Sequence, residues 1–91
     1  KKDSEEGALK VNLEAAREAA RQIRLRNLSG IIIVDFINQK EEENTRKLLH
    51  EFKYFLAQDP SQTTLVDMTA LGLVEITRKK IRRPLYEEEL Q

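Results

Sequence analysis

The segment Ile31-Ile32-Ile33-Val34-Asp35-Phe36-Ile37 limits the fold more than any other stretch of the chain. Four β-branched residues in succession lose rotamer freedom in a helix and pack well on a pleated surface, so the run reads as a strand. It is apolar at both alternating positions, the habit of a strand covered on both faces, as in the interior of an α/β sheet. Its uncharged part, Ile31 to Val34, falls far short of the roughly 20 apolar residues that cross a bilayer. The start, Lys1-Lys2-Asp3-Ser4-Glu5-Glu6, leads into a helix pattern and not into a signal peptide. The expectation is a soluble intracellular domain with no membrane partner.

Around this strand the hydrophobic period changes twice. Residues 1–11 are polar, mixed in charge and interrupted by Gly7, and read as a flexible lead-in or linker; the Lys1 start reads as a piece of a longer chain. Asn12 reads as a helix N-cap, followed by Leu13, Ala16, Ala19, Ala20 and Ile23 on one stripe. That helix should end near Arg26 to Leu28, with Gly30 as terminator. Residues 41–57 return to helical period through Thr45, Leu48, Leu49, Phe52, Phe55 and Leu56, and Asp59-Pro60 stops them. Thr63 to Met68 and Leu73 to Thr77 are two further strands about a turn at Thr69 to Gly72. The fold expected is α/β, a small mixed sheet with two helices in the order α-β-α-β-β. The tail runs from basic Lys79, Lys80, Arg82 and Arg83 through Pro84 to an acidic end at 86–91.

Sixteen basic and sixteen acidic residues cancel, which excludes a polycation acting through net charge but allows local segregation. Cysteine is absent, so disulfides, thiolate zinc sites and cysteine nucleophiles are excluded. No phosphate-cradling glycine loop, serine elbow or paired-histidine zinc motif occurs.

Asp35 is the first charge after the apolar run, at the carboxyl end of its strand, where ligand sites of open α/β sheets lie. Such a carboxylate caps the next loop, pairs with an arginine, or holds a hard divalent ion such as Mg²⁺. Asp67 is a second carboxylate only if its strand neighbours that of Asp35. Arg17, Arg21 and Arg24 gather on one flank of the first helix, either as a solvated face or as a row of guanidinium groups for phosphates. The run Thr77-Arg78-Lys79-Lys80-Ile81-Arg82-Arg83 is the densest basic patch, either a soluble tail or a phosphate contact. His50 lies opposite the apolar stripe of its helix and reads as exposed.

The blocks Val11-Asn12-Leu13-Glu14-Ala15-Ala16 and Ala20-Arg21-Gln22-Ile23-Arg24-Leu25-Arg26-Asn27-Leu28, then Gly30 through Ile37, resemble the ribonuclease E/G family. That family carries N-x-E-A-A and A-R-Q-L-R-L-R-[DN]-L on a helix before a strand G-I-I-[VI]-[VI]-D-F-I. Leu71-Gly72-Leu73-Val74-Glu75-Ile76-Thr77-Arg78-Lys79-Lys80 is similar to its downstream signature, and the likeness covers residues 11–85. The resemblance implies a fragment, over 12–85, of the deoxyribonuclease I-like catalytic subdomain of a cytoplasmic endoribonuclease that cuts single-stranded RNA in rRNA processing or mRNA decay. It implies that Asp35 is one of two aspartates holding Mg²⁺ (or Mn²⁺). The other would lie upstream of Lys1, leaving the fragment inactive alone, and the zinc-link cysteines usual in the family would lie beyond the chain. Asn38 stands where the family usually has aspartate. Arg17, Arg21, Arg24, Arg78, Lys79 and Lys80 would contact RNA, and the full-length protein would be a homo-oligomer. A non-catalytic RNA-binding module and an oligomerisation element are the alternatives.

Overall fold

The computed structural model describes residues 2–80; the basic positions Arg82 and Arg83 and the acidic end 86–91 lie outside the described residues. Its elements are α1 (Lys2–Leu25), β1 (Gly30–Asp35), α2 (Glu42–Ala57), β2 (Thr63–Met68) and β3 (Leu73–Arg78), in the expected α-β-α-β-β order. The strands form one sheet in the order β1-β3-β2. A mixed sheet was expected, but both neighbouring pairs are antiparallel. The tight hairpin after β2 folds β3 back between β2 and β1, so the two strands that run the same way never touch. A register shift between Leu65 and Asp67 leaves Val66 as an extra residue in β2.

Both helices cover one face of the sheet. Ala16, Ala20 and Ile23 of α1 meet Leu48, Phe52 and Leu56 of α2 over Val74 and Ile76 of β3, all buried. Small alanines let α1 lie close to α2, and Phe36 enters the same core with its ring edge-on to Phe52 at 5.4 Å. The opposite face has no cover among the described residues. Ile31 is 70% exposed and Ile33 56%, and β1 is an edge strand, so the expected interior strand is corrected. Apolarity on both faces showed what the strand tolerates, not what this segment of chain supplies to cover it.

Two local expectations at α1 also change. The helix begins at Lys2, so residues 2–11 are helical and not a linker, and Asn12 is a mid-helix residue and not a cap. Its end is set by Asn27 at φ 50°, not by Gly30. The Leu28 N–H donates to the Ile23 carbonyl and the Asn27 N–H to that of Arg24, the paired bonds of a Schellman end with asparagine in the left-handed position.

α1 and α2 run in the same direction. Glu5 near the start of α1 meets residues 39–44, and Arg17 to Arg24 near its end meet Tyr54 to Gln58. Among the described residues no helix is long and apolar enough to cross a membrane.

Candidate functional site at the end of the first strand

Asp35 is exposed at the carboxyl end of β1, opposite Leu73 of β3. Its carboxylate has no hydrogen-bond or ion-pair partner among the described residues, so the capping and arginine-pair readings are not realised. What is built here is its backing. The next residue, Phe36, is buried in the core, and its N–H donates to the Gly72 carbonyl at 3.0 Å. Gly72 sits at φ 92°, and a Cβ there would lie 2.7 Å from the Phe36 carbonyl oxygen. A side chain at position 72 would push the hairpin away from the strand end.

Asn12 completes the backing. It is only 1% exposed, and its amide acts as a piece of neighbouring strand. The Ile37 N–H donates to Asn12 Oδ1 at 2.8 Å, and Asn12 Nδ2 donates to the Ile37 carbonyl at 2.8 Å. A longer bond runs from Nδ2 to Gln39 Oε1 at 3.3 Å. Backbone groups just past the end of β1 thus find partners on α1. Asn12→Ala strips both from Ile37, at a cost of about 1–3 kcal/mol per unsatisfied group. We expect a drop in Tm of roughly 10 °C or more, measurable by circular dichroism.

Beyond Gln39 a carboxylate of α1 closes the start of α2. Glu5 accepts from the backbone N–H groups of Glu41 and Lys40 and from the side-chain amides of Gln39 and Asn44. Glu41 makes no side-chain cap of its own, so Glu5 serves that role from another helix. The hydrogen bond from the Glu41 N–H, followed by that from Lys40, holds the Glu5 carboxyl below its ordinary range. A depressed folded-state pKa stabilises above the unfolded-state value, and the effect vanishes as pH falls through the folded one. In Tm measurements against pH, Glu5→Gln should therefore melt below the parent at neutral pH, with the gap closing below about pH 4.

The remaining acidic candidates do not join Asp35. β3 separates β2 from β1, which puts Asp67 about 10 Å away by strand spacing. Asp67 faces Glu75 across the sheet, and Glu75 sits diagonal to Asp35 on the same open face. Among the described residues no three side chains of metal-ligating type converge. Asp35 therefore fits a divalent ion as a single oxygen ligand, exposed and unpaired, with the rest of the ligand set to come from elsewhere. A groove of about 600 Å³ at this end runs between β2 and α2, past Asn38, Glu42 and Thr45 to Asp67. Asn38 and His50 are exposed.

The basic features lie at the other end. Arg78 pairs with Gly30, five residues of β1 from Asp35, or roughly 17 Å. The guanidinium expected at RNA is used inside the protein. Arg78 Nε and Nη2 donate to the Asp59 carboxylate at 2.6 and 3.2 Å, and Nη1 donates to Asn27 Oδ1 and the Leu28 carbonyl. The side chains of the pair are 0% and 3% exposed. Arg78 is thus a clasp joining the end of α1, the loop after α2 and β3, while Lys79 and Lys80 beside it are exposed. Arg17 and Arg21 are exposed and Arg24 half-buried; Arg21 holds Glu18 at 3.1 Å.

Blocks on α1, β1 and β3 that carry the family likeness thus form one connected backing for Asp35. Over residues 1–81 the chain matches the model of the Ribonuclease E/G family. It belongs to the ribonuclease E/G family. It is 47% identical over 74 residues to Ribonuclease G of Escherichia coli, covering 81% of this chain and 15% of that protein. It is 44% identical over 85 residues to Ribonuclease E of Synechocystis sp., 93% of this chain and 13% of the relative. A Ribonuclease E/G-like protein, chloroplastic, of Arabidopsis thaliana is 46% identical over 78 residues, 86% of this chain and 8% of the relative. This ribonuclease E/G family chain therefore spans about one seventh of the length of the Ribonuclease G it matches.

Sequence reasoning did not single out Glu5, Asp59 or the clamp made by Asn12. A signal existed for Asp59: Arg78 follows Val74 and Ile76 at strand period, so it points inward and needs an acid. Glu5 carried no such signal, because its partners lie 34 to 39 residues away.

Proposed function

We propose that this chain is part of a metal-dependent endoribonuclease that hydrolyses single-stranded RNA, with Asp35 as one of two carboxylates on a Mg²⁺ or Mn²⁺ ion. The observation that carries the reading is an exposed aspartate, without a partner among the described residues, on a strand end held by the core, a glycine contact and a buried asparagine, in a chain of the ribonuclease E/G family. An exposed carboxylate backed in this way at a strand end is placed to offer an oxygen to a hard cation.

The second carboxylate would come from another part of the parent protein, and the 91-residue chain alone would be inactive. When bound, the ion would activate water and neutralise charge on the scissile phosphate. Asp35 would supply one oxygen ligand, fixed by the Asn12 clamp and the Gly72 contact. Arg17, Arg24, Lys79 and Lys80 would hold backbone phosphates, adding affinity more than sequence choice, while Arg21 is paired with Glu18. Self-association of the parent belongs to the same reading, supported by the apolar open face that carries Ile31 and Ile33.

The test is cleavage of a single-stranded RNA by the parent protein. Activity should require Mg²⁺ or Mn²⁺ and be lost in Asp35→Asn. Full activity in that variant, or activity undiminished in a chelator, overturns the assignment.

A further inference from the structure

Between α1 and α2, Arg17, Ala20, Arg21 and Arg24 face Tyr54 and Gln58 across a groove of about 500 Å³. We propose that this groove binds a single-stranded RNA segment, with Arg17 and Arg24 on backbone phosphates and the Tyr54 ring stacked on a base. The inference rests on the RNA reading above and adds to it a defined contact for a base.

Three observations carry it. Arg21 is occupied by Glu18, whereas Arg17 and Arg24 have no acidic partner among the described residues. They lie seven residues apart on one helix, roughly 10 Å along its axis, which spans about three phosphates of a stacked strand. Tyr54 is 60% exposed, yet its ring is braced edge-on by Phe55 at 5.8 Å and 65°. It is a held aromatic surface turned to water beside unpaired guanidinium groups, the combination used by single-strand binders. Buried Ala20 offers no side chain to fill the groove between them.

A structural duty for the arginines at the end of α2 does not account for the arrangement. The carbonyls of Phe55 and Leu56 are taken by the backbone N–H groups of Gln58 and Asp59. An acidic peptide would satisfy the arginines but leave the tyrosine face without a purpose.

The test is a titration of the 91-residue chain with a short oligouridylate, read by tyrosine fluorescence. The chain has two tyrosines and no tryptophan, so a Tyr86→Phe background isolates Tyr54. Saturable quenching is expected. For the Tyr54 variants, which carry no fluorophore in that background, affinity is read from the fluorescence anisotropy of a fluorescein-labelled oligouridylate; Tyr54→Ala should weaken it by about 5- to 100-fold while Tyr54→Phe keeps it. Arg17→Gln and Arg24→Gln should each lower the salt slope by about 0.7. Inorganic polyphosphate should compete without quenching. Unchanged affinity in Tyr54→Ala, an absence of quenching, or equal binding of polyglutamate overturns the groove. Asp35→Asn should leave this binding unchanged, so failure here leaves the cleavage assignment standing, and failure of that assignment leaves the groove standing.

Discussion

Arg78→Ala is expected to lower the urea midpoint of the chain by roughly a third or more. The substitution removes four hydrogen bonds: it takes the guanidinium from the Asp59 carboxylate, which keeps the Ser61 N–H and the Thr63 hydroxyl, and one donor each from the Asn27 side-chain oxygen and the Leu28 carbonyl. Removing one partner of a buried ion pair costs about 3–5 kcal/mol. Domains of this size have a total stability of roughly 5–10 kcal/mol, so the loss is a large share of the whole. Arg78→Lys should recover only part, because one ammonium lacks the fork that reaches acceptors on two segments at once. Urea unfolding followed by circular dichroism measures this, and an Arg78→Ala midpoint equal to the parent's would refute the clasp. Acid should act on the same place. The hydrogen bond from Arg78 holds the Asp59 carboxyl below its ordinary range, against a smaller opposing effect of burial. The clasp is therefore at full strength above the unfolded-state value near pH 4 and is lost as pH falls through the lower folded one. Loss of RNA binding in an Arg78 variant would accordingly report unfolding and not a lost phosphate contact.

Asp35→Asn should do the reverse, leaving the fold intact while cleavage by the parent disappears. The Asp35 carboxylate is exposed and makes no bond within the described residues, so its replacement removes no packing and no partner; surface changes of this kind stay within about 0.5 kcal/mol. It also relieves like-charge repulsion from Glu75, which lies diagonal to it on the open face. An unchanged Tm with lost cleavage separates a ligand from a structural residue. A Tm fall of 10 °C would place Asp35 among the groups that hold the strand end, alongside Asn12.

Local pattern carried the elements and their order, because apolar spacing in α1, α2 and the three strands is set by each element's own period. It also located Asp35, since a charge that ends an apolar run marks a strand end. Partnership was not legible. Asn12 reads as a cap by type, yet its bonds go to Ile37, 25 residues on. Arg78 reads as one of a basic run, yet strand parity alone separates it from Lys79. The cover of β1 was misjudged for a related reason: residues outside a segment can satisfy its apolar face, and the strand's own letters do not say where they are.

The common direction of α1 and α2 has an electrical consequence. Their positive helix ends lie together where Glu5, Glu41, Glu42 and Glu43 gather, and their negative ends lie with Arg24, Arg26, Lys79 and Lys80. Among the described residues, side-chain charge therefore opposes the backbone at both helix ends. On the proposed reading, an approaching polyanion would be met by the arginine and lysine end of the two helices and turned away from the glutamate end.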